Sequence, residues 1–313
     1  MATYNGSRFL RPQLLSILAQ TRPPDEVVVF DDGSTDDTVA IAASLLDATS
    51  IPHGVSVNSS RLGPTANFEQ AVGAAHGDIV VLADQDDVWI PSKLAVIEAA
   101  FVDHPGLGAL FSDAALVDAD GNPREGTLWQ QVGMCTDDVR RFGTRRGVDV
   151  LLRQNVVTGA TLAFDGALRD LLLPFPATGY HDAWIALLAA AVAPVLAVEQ
   201  PLIDYRLHDA NTAGLPARDV LGRIAARRRR TRVHEQAAAF FQAALDRLGE
   251  RGAGDGASIA ALNSKVAHLR FRQELSRNPL RRLLPVLTHM ARGDYRRFSR
   301  EGPRSAVYDL LYG

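Results

Sequence analysis

The first hundred or so residues alternate between two hydrophobic periods. Ser7 to Gln20 carries Phe9, Leu14, Leu15, Ile17 and Leu18 at helical spacing, and Pro23-Pro24 ends it. Glu26 to Phe30 is a short apolar run, which predicts a buried strand, and it stops at Asp31-Asp32-Gly33-Ser34. Thr35 to Leu46 reads as a helix, with Ser34 placed to cap it and Asp36 and Asp37 suited to the positive end of its dipole. Val55 to Asn58 predicts a short strand and Asn67 to Ala75 a helix closed by Gly77. Ile79 to Ala83 predicts another buried strand, followed by a helix from Pro91 to about Asp103. Four alternations of strand and helix predict a parallel sheet with helices on its faces.

The pattern is more mixed further on. Gly108 to Ser112 and Ala115 to Asp118 read as strands, with Asp120-Gly121-Asn122 as a hairpin-type turn. Residues 123–146 are polar and irregular, Gly147 to Arg153 suits a short helix, and Val156 to Phe164 is β-rich around Gly159. The longest apolar run, Ala183 to Val198, is broken by Pro194 and is shorter than the ~20 residues of a spanning helix. It predicts a buried helix to about Ala193 and then a strand to Tyr205. From Leu215 the chain turns to arginine-rich segments with helical spacing: Ala237 to Leu248, Ile259 to Leu275 and Leu280 to Arg292. An α/β domain over residues 1–215 and an all-helical extension over residues 216–313 are therefore expected.

Charge sharpens that division. The net charge of −3 conceals 13 Lys+Arg against 27 Asp+Glu in residues 1–215, and 20 against 9 in residues 216–313. An acidic body with a basic tail predicts two functional zones, the tail facing an anionic partner. Basic amphipathic helices suit an anionic membrane surface. No nucleic-acid-binding pattern is present, so nucleic acid is not expected. Cys135, the single cysteine, excludes an internal disulfide framework and any Cys-rich zinc site. With no cationic-then-apolar leader at the start, a cytoplasmic protein is expected.

The chemistry-bearing residues lie where the predicted elements end. Asp84-Gln85-Asp86-Asp87 places three mutually repelling carboxylates after a buried strand, where open α/β sheets bind ligands. Something cationic should offset them, and a divalent metal with oxygen ligands is the simplest candidate. Asp31-Asp32-Gly33-Ser34 follows the preceding strand, and His181-Asp182 opens the long apolar helix.

Seven segments in order, ATYNG, DDGSTDDT, NSSRLGPTANFEQA, ADQDDVW, NVVTGATLAF, HDAW and YRLHDAN, cover roughly residues 1–214. Together they resemble glycosyltransferase family 2, inverting enzymes of the GT-A fold that use nucleotide-activated sugars. The ADQDDVW form is similar to rhamnosyltransferase-type members that build cell-surface polysaccharides. The resemblance implies a GT-A nucleotide-diphospho-sugar transferase fold and a sugar, plausibly rhamnose from a dTDP donor, moved onto a lipid-linked saccharide. It places Thr3, Tyr4, Asn5, Asp32 and Arg61 on the nucleotide and Asp84 on the ribose. Asp86 and His208 would hold Mg²⁺ or Mn²⁺, with Asp87 and Arg206 in support. Asp182 would be the catalytic base, and Trp184 and Gly159 would lie on the acceptor side. Asp31 reads as a helix-capping acid, and His181 stands where an acid is often found. A location on the inner face of the plasma membrane would bring such an enzyme to its acceptor.

Two other readings compete: an inactive sugar-nucleotide-binding scaffold and a sugar-nucleotide nucleotidyltransferase. The latter calls for a Gly-rich signature with a phosphate-binding lysine near the start, which Asn5-Gly6-Ser7-Arg8 does not supply. Family members carry a full apolar strand ahead of the ATYNG-like motif, whereas Met1-Ala2-Thr3 alone precede Tyr4 here. The expectation is either a start assigned too far downstream or a sheet with most of a central strand missing.

Overall fold

The computed structural model describes residues 1–208, 227–276 and 278–312. The expected boundary at 215/216 and the Asp209-Ala210-Asn211 segment lie outside the described residues. The chain begins β1 (Ala2–Thr3), α1 (Ser7–Leu18), β2 (Val27–Asp31), α2 (Thr38–Asp47), β3 (His53–Val57), α3 (Pro64–Ala74). It continues β4 (Ile79–Val81), β5 (Val88–Trp89), α4 (Lys93–Asp103), β6 (Ala109–Val117), β7 (Pro123–Thr127), α5 (Leu128–Val132), α6 (Thr136–Arg141), α7 (Gly147–Arg153). Then come β8 (Leu162–Asp165), α8 (Arg169–Leu172), α9 (His181–Val192) and β9 (Val195–Arg206). The C-terminal part holds α10 (Arg227–Glu250), α11 (Gly256–Gln273), α12 (Pro279–Ala291), α13 (Asp294–Phe298) and α14 (Pro303–Tyr312).

The α/β architecture expected from the alternating periods is present, with a mixed strand arrangement. β1, β2 and β3 form a parallel three-stranded sheet. The larger sheet runs β4-β8-β6-β9-β5 with β7 on β6; its β6–β9 pair is parallel and its other pairs are antiparallel. Alternate residues of a strand face opposite sides, and this sheet accordingly divides the core. Ala109 and Phe111 of β6 and Leu162 and Phe164 of β8 join one apolar cluster, while Leu110 and Ala163 join the other. α9 is apolar around its whole circumference and buried from Trp184 to Ala191, as such a helix must be.

Residues 123–146, expected to be irregular, contain β7, α5 and α6. The two helices are too short to show an apolar period and depend instead on local capping. Thr127 and Gln130 form a capping box at the start of α5, and Cys135 and Asp138 form one at the start of α6.

The helical extension shares the main core. Phe241, Ala244 and Leu248 of α10 and Leu262, Val266 and Leu269 of α11 lie in the same apolar cluster as α9. α12–α14 close around a separate small cluster of Val286, Tyr295 and Ala306. Among the described residues, no helix is long and apolar enough to cross a membrane.

β1 is two residues long, yet it ties the two sheets together. Phe30 N–H donates to the Met1 carbonyl at 3.0 Å and Asp32 N–H to that of Thr3 at 2.8 Å, while Ala2 N–H reaches Ala83 O at 3.4 Å. The Met1 nitrogen donates to Val28 O at 2.7 Å. A cavity of about 260 Å³ lies beside it, lined by Val27 and Val28 of β2 and by Val80, Val81 and Leu82 on the other side.

Candidate active site

The first loop is held by two other segments of the chain. Tyr4 N–H donates to Gln85 Oε1 at 2.8 Å and Gln85 Nε2 donates back to the Tyr4 carbonyl at 3.1 Å. A Cβ on Gly6 would stand 2.2 Å from Gln85 Oε1, so any larger residue there would displace the Gln85 amide. Asn5, at φ +45°, donates its N–H to Ser34 Oγ and accepts from Thr35 N–H. Gln85 thus fixes the loop that the resemblance assigns to the nucleotide. Its position between two acids had suggested no such role.

Asp31 and Asp32 have different surroundings. Asp31 is fully buried and accepts from Ser34 N–H and Oγ, both at 2.6 Å, and from Thr3 Oγ1 at 2.8 Å. It shapes the turn. Asp32 accepts from Asn58 Nδ2 (3.1 Å), Leu62 N–H (2.7 Å) and Gly63 N–H (2.8 Å), and so anchors the 58–63 loop. On that loop the Arg61 guanidinium lies 4.0 Å from the centre of the Tyr4 ring, a cation–π contact.

The acidic loop between β4 and β5 meets the end of β9. His208 Nε2 is 2.9 Å from Asp86 Oδ2, and its ring stacks on Phe9 with centroids 4.7 Å apart. Arg206 N–H donates to Asp87 Oδ1 at 3.0 Å; its side chain donates to the carbonyls of Asp86, Asp118 and Ala119. Arg206 therefore fastens two loops together. Asp87 is 1% exposed, and its Oδ2 has no hydrogen-bond partner.

Burial and neighbouring charge raise Asp84 and Asp87. Asp84 is pushed up to about 7 by burial, then by the charges of Asp86 and Asp182. Asp87 is held well above the usual carboxylate range by burial, then by Asp86 and Asp84. Part of the cationic offset comes from a residue that sequence reasoning missed. Lys93 is fully buried, donates to Ala160 O at 2.8 Å and lies 4.1 Å from the Trp89 ring centre. Burial lowers its pKa to about 7, with Asp87 and Asp84 acting in the opposite direction. The available signal was a lysine on the core face of a helix, beside Leu94 and one turn before Ile97.

Asp182 sits in the first turn of α9. Its carboxylate accepts from Ala183 N–H at 2.5 Å, Gly159 N–H at 3.2 Å and Asn155 Nδ2 at 3.4 Å. Burial nonetheless raises it to about 6, outweighing those donors. His181 is stacked on Phe68 with centroids 4.0 Å apart, and neither of its ring nitrogens has a partner. Burial lowers its pKa to about 3, so it is neutral. A Cβ at Gly159 would lie 2.8 Å from His181 Nε2, which ties Gly159 to the start of α9.

Trp184 is a correction. It was expected against an acceptor sugar but is 1% exposed, donating its indole N–H to Leu172 O at 2.8 Å. It follows Asp182 by two residues, which the helix turns to a different side.

Asp86 and His208, in contact at 2.9 Å, offer a carboxylate oxygen and an imidazole nitrogen beside the acidic loop. This pair fits Mg²⁺ or Mn²⁺ better than a thiolate-seeking metal.

Residues 1–133 match the family described as Glycosyl transferase family 2. The chain is 33% identical over 98 residues to the dTDP-rhamnosyl transferase RfbG of Shigella flexneri, covering 30% of this chain and 34% of the relative. In fold it resembles S. aureus TarS 1-349 in complex with UDP-GlcNAc, with a TM-score of 0.59 and 19% identity over 86% of this chain and 69% of that one. It also resembles the mannosyltransferase PcManGT from Pyrobaculum calidifontis in complex with GDP-Man and Mn²⁺, with a TM-score of 0.52 and 20% identity over 98% of this chain and 78% of that one. At such identities both structures speak to the fold alone. The chain spans 31% to 46% of the length of the first curated relatives it matches.

Proposed function

We propose that this chain, whose residues 1–133 fall in glycosyl transferase family 2, transfers a sugar from a nucleotide-sugar donor with inversion at the anomeric carbon. The observation that carries the reading is a convergence. Asp182, the Asp84–Asp87 loop and His208 come from distant parts of the chain, and the Asp182 charge acts on Asp84 while His208 contacts Asp86.

In this reading the nucleotide lies against the Thr3–Asn5 loop, the Asp32-anchored loop and Arg61, with Asp84 toward the ribose. Asp86 and His208 would hold Mg²⁺ or Mn²⁺, supported by Asp87, and the ion would offset charge on the leaving diphosphate. Asp182 accepts the proton of the acceptor hydroxyl as that oxygen bonds to the anomeric carbon. The bond from that carbon to the diphosphate oxygen breaks, and its electron pair leaves with the nucleoside diphosphate. Asn155 and Gly159 hold Asp182 in position through its two oxygens.

Similarity to the rhamnosyl transferase RfbG and the ADQDDVW segment favour dTDP-rhamnose as donor. A lipid-linked saccharide acceptor accords with the C-terminal helices, and with it a peripheral location on the cytoplasmic membrane face. α12 buries Val286 and Arg282 and turns Leu280, Leu283, Leu284 and Leu287 outward, Leu280 being 82% and Leu284 73% exposed. These leucines recur at i, i+3, i+4 and i+7, one helical face, with exposed Arg281 and Arg292 on the same helix or at its end. An apolar stripe with arginines beside it suits an anionic bilayer.

A panel of nucleotide sugars, screened for Mn²⁺-dependent binding and then for transfer to lipid-linked saccharides, tests the proposal. Retention of dTDP-rhamnose above the others is the expected result. A protein that binds no nucleotide sugar, with or without Mn²⁺, would refute it.

A further inference from the structure

The C-terminal helices carry a cluster of ligating side chains unrelated to the site above. One ring nitrogen each of His268 on α11 and His289 on α12, and one carboxylate oxygen of Asp294 at the start of α13, lie within 4.8 Å of one another. We propose that these three residues bind a divalent transition metal of the zinc class and thereby pin α11, α12 and α13 together.

Each side chain is already set for the task. His268 is buried; Ser299 Oγ lies 3.3 Å from its Nε2, and its Nδ1 has no partner. A metal-bound imidazole commonly shows this arrangement, with one nitrogen donating to an outer acceptor and the other free to ligate. His289 Nδ1 is 2.7 Å from Asp294 Oδ2, and the His289 ring stacks on Phe271 with centroids 3.7 Å apart. Neutral imidazole is the ligating form.

Two cations that act on His268 are already engaged. Arg272 is held by both oxygens of Asp309 at 2.7 and 2.9 Å, and Lys265 Nζ donates to Phe298 O at 2.7 Å. The Asp294 carboxylate offsets part of the ion's charge. Two imidazoles and one carboxylate, with one coordination position left for water, suit tetrahedral zinc; Mg²⁺ prefers oxygen throughout.

The test uses the full chain, stripped with chelator and titrated with Zn²⁺ by calorimetry and with Co²⁺ by visible absorption. One tightly bound equivalent is expected, with the absorption of four-coordinate cobalt. His289→Gln and Asp294→Asn should each weaken it at least tenfold, whereas Asp86→Asn should leave it in place. His268 is buried and its replacement could disturb folding. The other two side chains are partly exposed, and circular dichroism shows whether their variants are intact. Absence of Zn²⁺ and Co²⁺ binding by the unaltered protein overturns the proposal. So does binding that survives both of those substitutions, or that only Asp86→Asn removes.

Discussion

His208 Nε2 lies 2.9 Å from Asp86 Oδ2 although 122 residues separate the two in the chain. The contact joins the last residue described before the C-terminal helices to the middle acid of the loop after β4. Phe9 stacks on the imidazole and limits its rotation. If the pair holds a divalent cation, Asp86→Asn and His208→Ala should both weaken Mn²⁺-dependent donor binding. Asp86→Asn should be the more severe, because it removes charge as well as a ligand. His208→Ala should raise the Mn²⁺ concentration for half-maximal activity by at least tenfold. A titration curve for His208→Ala that superimposes on that of the unaltered protein would remove His208 from the metal shell.

Asp182 predicts opposite effects of pH on rate and stability. Its folded pKa of about 6 lies above the ordinary value of 3.8. A raised carboxyl contributes stability below the unfolded pKa, and that contribution is lost as pH rises through the folded pKa. The ionised form is nonetheless the one that accepts a proton. kcat/KM should therefore rise with pH through about 6, while the stabilising contribution of this group falls over pH 4 to 6. Asp182→Asn should cut transfer by ~10²–10⁴ and flatten that limb. Donor affinity should hold, and the melting temperature at neutral pH should stay level or rise. Undiminished turnover would show that another group is the base.

The α/β alternation, the buried α9 and the helical C-terminal segments were legible because each rests on an apolar period or an unbroken apolar run long enough to read. α5 and α6 were not, since they rest on capping bonds. The acids of the candidate site were legible as strand-end clusters, but their supports were not. Gln85 and Lys93 act through contacts 67 to 81 residues away in the chain, which no local pattern shows. Trp184 was misread because HDAW fixes sequence proximity to Asp182, whereas the helix turns residues two apart to different sides. Likewise α12 reads as amphipathic, but its buried positions include Arg282 and its leucines face outward.

Gly159→Ala tests how closely the base is positioned. The added methyl would meet His181 Nε2 at 2.8 Å and Asp182 Cβ at 3.8 Å. Gly159 N–H also donates to Asp182 Oδ2, so any shift moves the base itself. The His181 ring is packed against Phe68 and has little room to yield. A fall in kcat of roughly 10²-fold is expected for a displacement of the order of 1 Å at a reacting group. With the donor held by the loops around Asp32 and Asp84, as proposed, its KM should change little. Parallel loss of donor affinity would indicate a wider collapse of the site.

The α12 stripe separates membrane docking from a merely solvated helix. Removing an exposed leucine costs a monomer in solution little, whereas each leucine inserted in a bilayer contributes about 1.5–3 kcal/mol. Leu280→Ser with Leu284→Ser should therefore leave the melting temperature nearly unchanged and reduce partitioning onto anionic vesicles by well over tenfold. Charge reversal at Arg281 and Arg292 should weaken binding at low salt and matter less at high salt, where exposed charges are screened. Co-sedimentation with vesicles containing and lacking anionic lipid measures both. If the unaltered protein ignores anionic lipid, the stripe serves another surface. A concentration-dependent change of mass abolished by the same leucine substitutions would identify that surface as a second copy of the chain.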